Sequence, residues 1–128
     1  MLYDSNIVIY TARPEHVFLR DVITEDVPVV SAISRVEVLG FHGLDEVERG
    51  HLEAFFAAAV VLPITDAVVE HAIALRQARK MSLGGAIVAA TALVHGLMLV
   101  TRNTSDFIWV PSLRVWNPFD ASRPPEDG

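Results

Sequence analysis

The chain has 128 residues, of which 52% are hydrophobic, and its formal net charge is −6 at pH 7. This length and composition predict one globular domain with its own core. The negative charge argues against nonspecific nucleic-acid binding, which depends on clustered Lys and Arg. It leaves open an acidic, metal-charged site that acts on nucleic acid. The chain has no cysteine, no signal-peptide pattern and no apolar run of membrane-spanning length, so we expect a cytoplasmic protein without disulfides or thiolate metal sites.

The first part of the chain predicts two short strands, each followed by helices. Asp4, Ser5 and Asn6 follow the first apolar run and form a polar turn that can cap a helix. In chain order, we predict a strand at residues 1–3, a helix after Asn6 that breaks near Pro14, a helix at 14–23, a strand at 27–30 and a helix from 31 or 32 to 41.

The second part repeats this alternation. A strongly amphipathic helix is predicted at residues 45–59, and Thr65 is the expected N-cap of another at 66–80. The remaining elements are strands at residues 60–62 and 97–101, a polar turn at 103–107 and a candidate edge strand at 113–116. Arg76, Arg79 and Lys80 gather at the end of one helix, where a solvated helix end is the simpler interpretation.

Residues 81–96, MSLGGAIVAATALVHG, predict a helix that is buried on nearly all sides. Ser82 is a good N-cap, and Gly96 suits the position after the last turn. Gly84 and Gly85 are unexpected in the first turn, since each glycine costs about 1 kcal/mol relative to alanine inside a helix and less at its end. Either a ligand approaches the backbone there, or a side chain that used to be present has been removed.

Strands alternating with helices of this length predict an α/β fold in which helices cover both faces of a central, mainly parallel sheet of four to five strands. We assign residues 1–118 to this domain. Residues 119–128 are Pro-rich and charged, and we predict a disordered tail there.

Three acids are expected at one edge of this sheet. Asp4 follows the first strand, Glu37 lies in the helix after the second, and Asp106 lies in the loop after the fourth. Gly85 begins a helix at the same edge, where ligands bind in open parallel sheets. Glu37 also has apolar sequence neighbours, and burying a carboxylate among them is costly without a partner. Clustered carboxylates need divalent cations or raised pKa values, and oxygen ligands suit Mg²⁺ or Mn²⁺.

Each feature also has a simpler interpretation. Asp4 could merely cap the first helix, and Asp106 could be a turn residue in the sequence NTSD. The segment SLGGA is a weak candidate for a phosphate-binding helix start, which would make the protein a small nucleotide-binding module. The five histidines show no metal-ligand spacing.

Four segments together resemble PIN-domain ribonucleases, and most closely the VapC-type toxins of bacterial toxin–antitoxin pairs. These segments are LYDSN, SRVEVLGF, MSLGGAIVAATALVHG and LVTRNTSDF, in the order and spacing of that family. The resemblance extends from Leu2 to about Pro118. It implies a small α/β/α sandwich, Mg²⁺- or Mn²⁺-dependent endonucleolytic cleavage of RNA, often transfer RNA, a cognate antitoxin partner and a homodimer.

The resemblance also implies roles for individual residues. Asp4, Glu37 and Asp106 match metal-binding, catalytic acids of the family, with Asn6, Thr101 and Asn103 as polar supports. Family members usually have an aspartate at the position of Gly85. We therefore expect a damaged metal site and weak or absent nuclease activity, with the fold intact. The alternative is a catalytically dead PIN scaffold that acts only by binding antitoxin, RNA or another protein.

Overall fold

The computed structural model describes residues 1–22, 27–121 and 123–125, in which five strands and six α-helices alternate. The strands are β1 (Leu2–Tyr3), β2 (Val29–Ser31), β3 (Val60–Leu62), β4 (Leu99–Val100) and β5 (Val115–Trp116). The helices are α1 (Ser5–Thr11), α2 (Phe18–Val22), α3 (Ala32–Leu39), α4 (Glu46–Ala58), α5 (Asp66–Ala78) and α6 (Leu83–His95). No helix within these described ranges is long and apolar enough to cross a membrane.

The strands form one parallel sheet in the order β3-β2-β1-β4-β5. Leu2 pairs with Val29 on one side and with Leu99 on the other, so β1 is the central strand. The chain leaves β1 toward β2 and β3, and only later returns to build β4 and β5. The strand order therefore reverses between β1 and β4, the position at which open parallel sheets bind ligands. The predicted α/β class, the parallel sheet and the edge strand β5 are confirmed.

Strand alternation divides the core into two clusters. Leu2 and Leu99 pack with the buried face of α5 and α6, whereas Tyr3 and Val100 pack with α1 and α4 on the other face of the sheet. Successive strand residues point to opposite faces, so two-residue strands still supply both halves of the core. The result is the expected sandwich of helices around a sheet.

Most helices begin at a side-chain cap that the sequence indicates. Ser82 accepts a hydrogen bond from the backbone N–H of Gly85, and Thr65 accepts one from Val68. At the other end of α6, Gly96 adopts φ 63°, the left-handed conformation that glycine reaches at little cost. Within α6, Ala86, Ala90 and Thr91 are buried, which confirms the predicted buried helix.

Several predicted boundaries are wrong by one to three residues. Helix α3 ends at Leu39 rather than at residue 41, because the Gly40 N–H bonds the Val36 carbonyl and the Phe41 N–H bonds the Val38 carbonyl, three residues back, which closes the last turn. The predicted helix at 14–23 is a 3₁₀ turn, Pro14–His16, followed by the short helix α2. Proline suits the first position of such a turn, and residue 23 lies outside the described residues. Strands β1, β4 and β5 are shorter than predicted, β2 lies at 29–31 rather than 27–30, and the bounds predicted for β3 are confirmed.

Phe119 lies next to the aromatic side chains of Tyr10, His16 and Phe18, with ring centroids 5.2 to 5.4 Å away. The indole N–H of Trp116 donates to the Ala121 carbonyl at 2.9 Å. The prediction of a disordered tail at 119–128 falls partly on residues 122 and 126–128, which lie outside the described residues, and it stays a prediction.

Candidate active site

Asp4 lies in the crevice between β1 and β4, directly after the last residue of β1. Its Oδ1 atom accepts a hydrogen bond from the Ser5 backbone N–H at 2.8 Å, so the cap interpretation of Asp4 is correct. Its Oδ2 atom accepts a second bond from the Thr101 hydroxyl, also at 2.8 Å, and Thr101 directly follows β4. Asp4 therefore caps α1 and also links the two strands between which the chain order reverses.

Burial and neighbouring charges make the Asp4 carboxylate unusual. Burial is the largest effect on its pKa and raises it above the ordinary value of 3.8. The hydrogen bonds from Thr101 and Ser5 act in the opposite direction, and the negative charges of Glu37 and Asp106 raise the pKa again. Both other predicted acids are thus near enough to act on Asp4 electrostatically.

Glu37 is joined to Asp4 through Ser5. The Ser5 hydroxyl donates to Glu37 Oε1 at 2.8 Å, while the Ser5 backbone N–H bonds Asp4. The Ser5 Oγ atom also lies 3.0 Å from the Oγ atom of Ser34, which is fully buried. A single serine therefore fixes the relative position of two carboxylates that approach from different helices.

Glu37 has apolar neighbours in the sequence, but it is not buried among them. Helix α3 buries Ser34 and Val38, which are four residues apart on one face, and leaves Val36 and Glu37 exposed. Apolar neighbours in sequence do not surround Glu37 in space, because a helix turns by about 100° per residue. Glu37 instead faces a hollow that Asn6 and Tyr10 also line.

The two glycines of the first turn of α6 have different surroundings. A Cβ atom at Gly84 would lie 2.8 Å from the Glu37 carboxyl carbon and 3.0 Å from its Oε1 atom. A Cβ atom at Gly85 would lie 2.8 Å from the Ser82 hydroxyl oxygen, and the next nearest atoms belong to the Phe107 ring at 3.8 Å. Gly84 thus makes room for Glu37, whereas the hydroxyl of the helix's own cap is the nearest group to Gly85.

The remaining predicted residues lie around the same crevice. Asp106 is exposed, ends a 3₁₀ turn (Thr104–Asp106) and shares a cleft with Gly85. Thr101 is fully buried, and its hydroxyl oxygen accepts the backbone N–H of Asn103 at 3.1 Å. The supporting role predicted for Asn103 stays a prediction. Asn6 is exposed in the first turn of α1.

A cation also lies next to the crevice. Arg102, between Thr101 and Asn103, has its guanidinium carbon 4.1 Å from the centroid of the Phe119 ring and 5.4 Å from that of Tyr10. These distances are in the range of cation–π contacts, which help to hold the side chain in place.

Sequence reasoning missed Ser5, Ser34 and the role of Gly84. Ser5 belongs to the quoted motif LYDSN, so its position beside Asp4 was available as a signal. Its contact with Glu37 was not, because 32 residues separate them. The glycine pair was noted, but the carboxylate that approaches Gly84 comes from α3.

The carboxylate oxygens at the crevice are the kind of ligand that a hard divalent cation prefers, but too few of them lie together. Asp4, Glu37 and Asp106 offer carboxylate oxygens, as Mg²⁺ and Mn²⁺ prefer. However, the described ranges contain no group of three or more His, Cys, Asp or Glu side chains placed to hold a metal ion. The described residues therefore do not fit a fully ligated ion.

Comparison with known proteins agrees with this fold. The PIN domain family matches residues 1–110. A chain in a toxin–antitoxin complex from Klebsiella pneumoniae is 32% identical, with a TM-score of 0.74, and the alignment covers 91% of this chain and 96% of that chain. No curated protein matches the chain.

Two further structures share the fold. A chain of VapBC2 from Rickettsia felis, bound to a DNA fragment from its promoter, has a TM-score of 0.73 at 18% identity. A chain of VapBC-1 from nontypeable Haemophilus influenzae has the same TM-score at 22% identity. Both alignments cover 91% of this chain and 98% of the other. The chain belongs to the PIN domain family, and its resemblance to VapC-type proteins is confirmed.

Proposed function

We propose that this protein is the toxin of a toxin–antitoxin module, built as a divalent-metal-dependent endoribonuclease whose metal site is incomplete at Gly85. The observation that carries this proposal is the pair Asp4 and Glu37, joined by Ser5 at the crevice between β1 and β4. The 32% identity to a chain of a toxin–antitoxin complex supports the biological role.

The proposed cofactor is Mg²⁺ or Mn²⁺. When bound at a complete site, such an ion activates water and stabilises the leaving oxygen of a phosphodiester. Asp4, Glu37 and Asp106 would be its protein ligands. Thr101 and the Ser5 backbone favour the charged form of Asp4, since their hydrogen bonds lower its pKa, and Ser5 holds Glu37 beside it.

Gly85 is proposed to stand where an active member has an aspartate. The position lines a cleft together with Asp106, so a carboxylate there would add a second acid on that side of the crevice. An acid in the first turn would also suit the positive end of the helix dipole. An RNA substrate, such as transfer RNA, would bind over this crevice. The proposed partners are a cognate antitoxin, whose basic groups the net charge of −6 would attract, and a second copy in a homodimer.

The decisive experiment compares RNA cleavage by the unaltered chain and by Gly85→Asp, with Mg²⁺, with Mn²⁺ and with EDTA. Loss of a ligand to a catalytic metal costs several kcal/mol of transition-state stabilisation, so we expect Gly85→Asp to cleave about a hundredfold faster or more. Gly85→Asn is the matched control, because it has nearly the same shape without the charge. Glu37→Gln in the Gly85→Asp chain should abolish the gain.

Equal cleavage rates for the unaltered chain and Gly85→Asp would show that Gly85 does not limit the reaction. If neither chain cleaves RNA although both are folded, the second candidate function gains support. This candidate is a PIN scaffold that acts by binding antitoxin or RNA, and the missing three-acid group in the described residues favours it. In that case Glu37→Gln should leave the biological effect of the unaltered chain unchanged.

A further inference from the structure

A cleft of about 590 Å³ adjoins the acidic crevice on its Gly85 side. Arg79, Lys80 and Trp109 line one part of it, and Gly85 and Asp106 line another. We call it the Trp109 cleft. Its volume falls in the range of about 300–1,000 Å³ that is typical of small-ligand sites. Because Gly85 lines the Trp109 cleft and the adjacent Gly84 lies against the Glu37 carboxylate, a ligand in this cleft would lie next to the proposed reaction centre.

The indole ring of Trp109 is held in one orientation. Its indole N–H donates to the backbone carbonyl of Asp106 at 2.9 Å, which sets the orientation of the ring. The side chain is half-buried, whereas the neighbouring Phe107 is buried. Trp109 therefore offers part of its ring to a ligand, and a fixed aromatic ring is what proteins use to stack nucleic-acid bases.

Positive charge accompanies this ring. Arg79 has its guanidinium carbon 5.1 Å from the centroid of the Trp109 ring. Arg76 donates to the Met81 carbonyl at 3.3 Å, which ties the end of α5 to the segment that enters the cleft. Arg79 and Lys80 are exposed, so Arg79 can leave the face of the Trp109 ring to a base and turn with Lys80 toward a phosphate. Two of the three basic residues that the sequence analysis interpreted as a solvated helix end thus line a cleft.

We propose that the Trp109 cleft binds one nucleotide of single-stranded RNA, with the base stacked on Trp109 and the adjacent phosphate bound by Arg79 and Lys80. This inference rests on the proposed function, because it places that nucleotide next to the phosphodiester to be cleaved. The combination of an aromatic ring and cations matches the two chemical parts of a nucleotide. The chain as a whole has a net charge of −6, which opposes nucleic-acid binding, so RNA would be attracted to these two local cations.

The test measures binding of fluorescein-labelled octamers of uridylate and adenylate to the full chain by fluorescence anisotropy, in EDTA so that no RNA is cleaved. We expect Trp109→Ala to weaken binding about tenfold, and Trp109→Phe to retain most of it, because phenylalanine also stacks. Arg79→Ala should weaken binding several-fold and reduce its salt dependence. Arg49→Ala is the matched control, since it removes an exposed arginine from α4, outside the cleft.

Tryptophan fluorescence gives a second readout. The chain has two tryptophans, and Trp116 is only 2% exposed. RNA should therefore quench Trp109, and Trp109→Phe should lose that quenching while still binding RNA. Loss of quenching with retained binding would support stacking on Trp109 and would not result from unfolding.

Four results would overturn this proposal. The first is no RNA binding by the unaltered chain, and the second is equal RNA affinity of Trp109→Ala and the unaltered chain. The third is equal weakening by Arg49→Ala and Arg79→Ala, which would indicate general charge attraction. The fourth is loss of antitoxin binding but not RNA binding in Trp109→Ala, which would make the cleft a protein interface.

Different experimental results would refute this inference and the proposed function. If Gly85→Asp cleaves RNA and Trp109→Ala in that chain leaves KM unchanged, the nuclease is supported and the subsite is refuted. If Gly85→Asp is inactive but the unaltered chain binds RNA through Trp109, the subsite is supported in a scaffold and the nuclease is refuted.

Discussion

The two sides of the crevice differ in how completely they are built. On the Glu37 side, Ser5 bonds two carboxylates, and Gly84 leaves the space that the Glu37 carboxylate occupies. On the Gly85 side, an exposed Asp106 borders an open cleft, and only the Ser82 hydroxyl lies close to the glycine. The two adjacent glycines of this helical turn therefore have different explanations. Gly84 makes room for the Glu37 carboxylate, whereas Gly85 fits the proposed loss of an aspartate.

The largest change in stability should follow from Ser5→Ala on the Glu37 side. This variant removes the hydroxyl that bonds Glu37 and leaves the fully buried Ser34 without that partner. A buried polar group that loses its partner costs about 1–3 kcal/mol, so we expect the free energy of unfolding in urea to fall by about 2 kcal/mol. Ser105→Ala, an exposed serine on the Gly85 side, should change it by less than about 0.5 kcal/mol. Equal effects would show that Ser5 does not organise its side of the crevice.

A smaller difference should separate Gly84→Ala from Gly85→Ala. A methyl group at 84 displaces the Glu37 carboxylate from Ser5, and losing that bond outweighs the helix-propensity gain of about 1 kcal/mol, for a net cost of about 1 kcal/mol. At 85 the methyl group displaces the Ser82 cap, so the loss of about 1 kcal/mol and the propensity gain nearly cancel. Urea unfolding of both variants measures the difference.

The Glu37→Ala background provides the control for this pair. Without the carboxylate, Gly84→Ala should no longer destabilise the protein, while Gly85→Ala should behave as before. A cost of Gly84→Ala that persists without Glu37 would contradict the explanation given for Gly84.

The smallest expected effect is a gain in stability from Asp4→Asn, because asparagine remains a good N-cap. Since the pKa of Asp4 is raised in the fold, ionisation of Asp4 costs stability. The stabilising contribution of the protonated Asp4 carboxyl is fully present below the ordinary pKa of 3.8, and it is lost as the pH rises through the raised pKa. Asp4→Asn should therefore stabilise the chain by roughly 0.5 kcal/mol at pH 7 and by nothing in acid.

Urea unfolding at several pH values measures this dependence. Asp45→Asn is the matched control, since Asp45 caps α4 with an exposed carboxylate bonded to the Glu48 N–H. A loss of stability at pH 7 on Asp4→Asn would mean that the hydrogen bonds from Thr101 and Ser5 outweigh burial.

Much of the fold could be predicted because it depends on local signals. Ser82, Thr65 and Gly96 mark helix ends through their own side chains or backbone freedom. The break at Pro14 and the alternation of strands and helices are likewise local, as is the uniformly apolar character of α6. The end of α3 was predicted two residues too late, because the Phe41 N–H bonds the Val38 carbonyl, three residues back, and the regular helical bonding stops there.

The site could be predicted only as a set of residue types at one edge of the sheet. The sequence by itself determined that Asp4, Asp106 and the Gly85 helix start follow or precede the correct strands, because a parallel sheet brings such positions to one edge. Only the tertiary structure decided that Ser5 joins Asp4 to Glu37, that Gly84 accommodates Glu37 and that Arg79 lies over Trp109. These contacts join residues about 30 to 47 positions apart in the chain, and their distances depend on how the helices pack on the sheet, which no local pattern specifies.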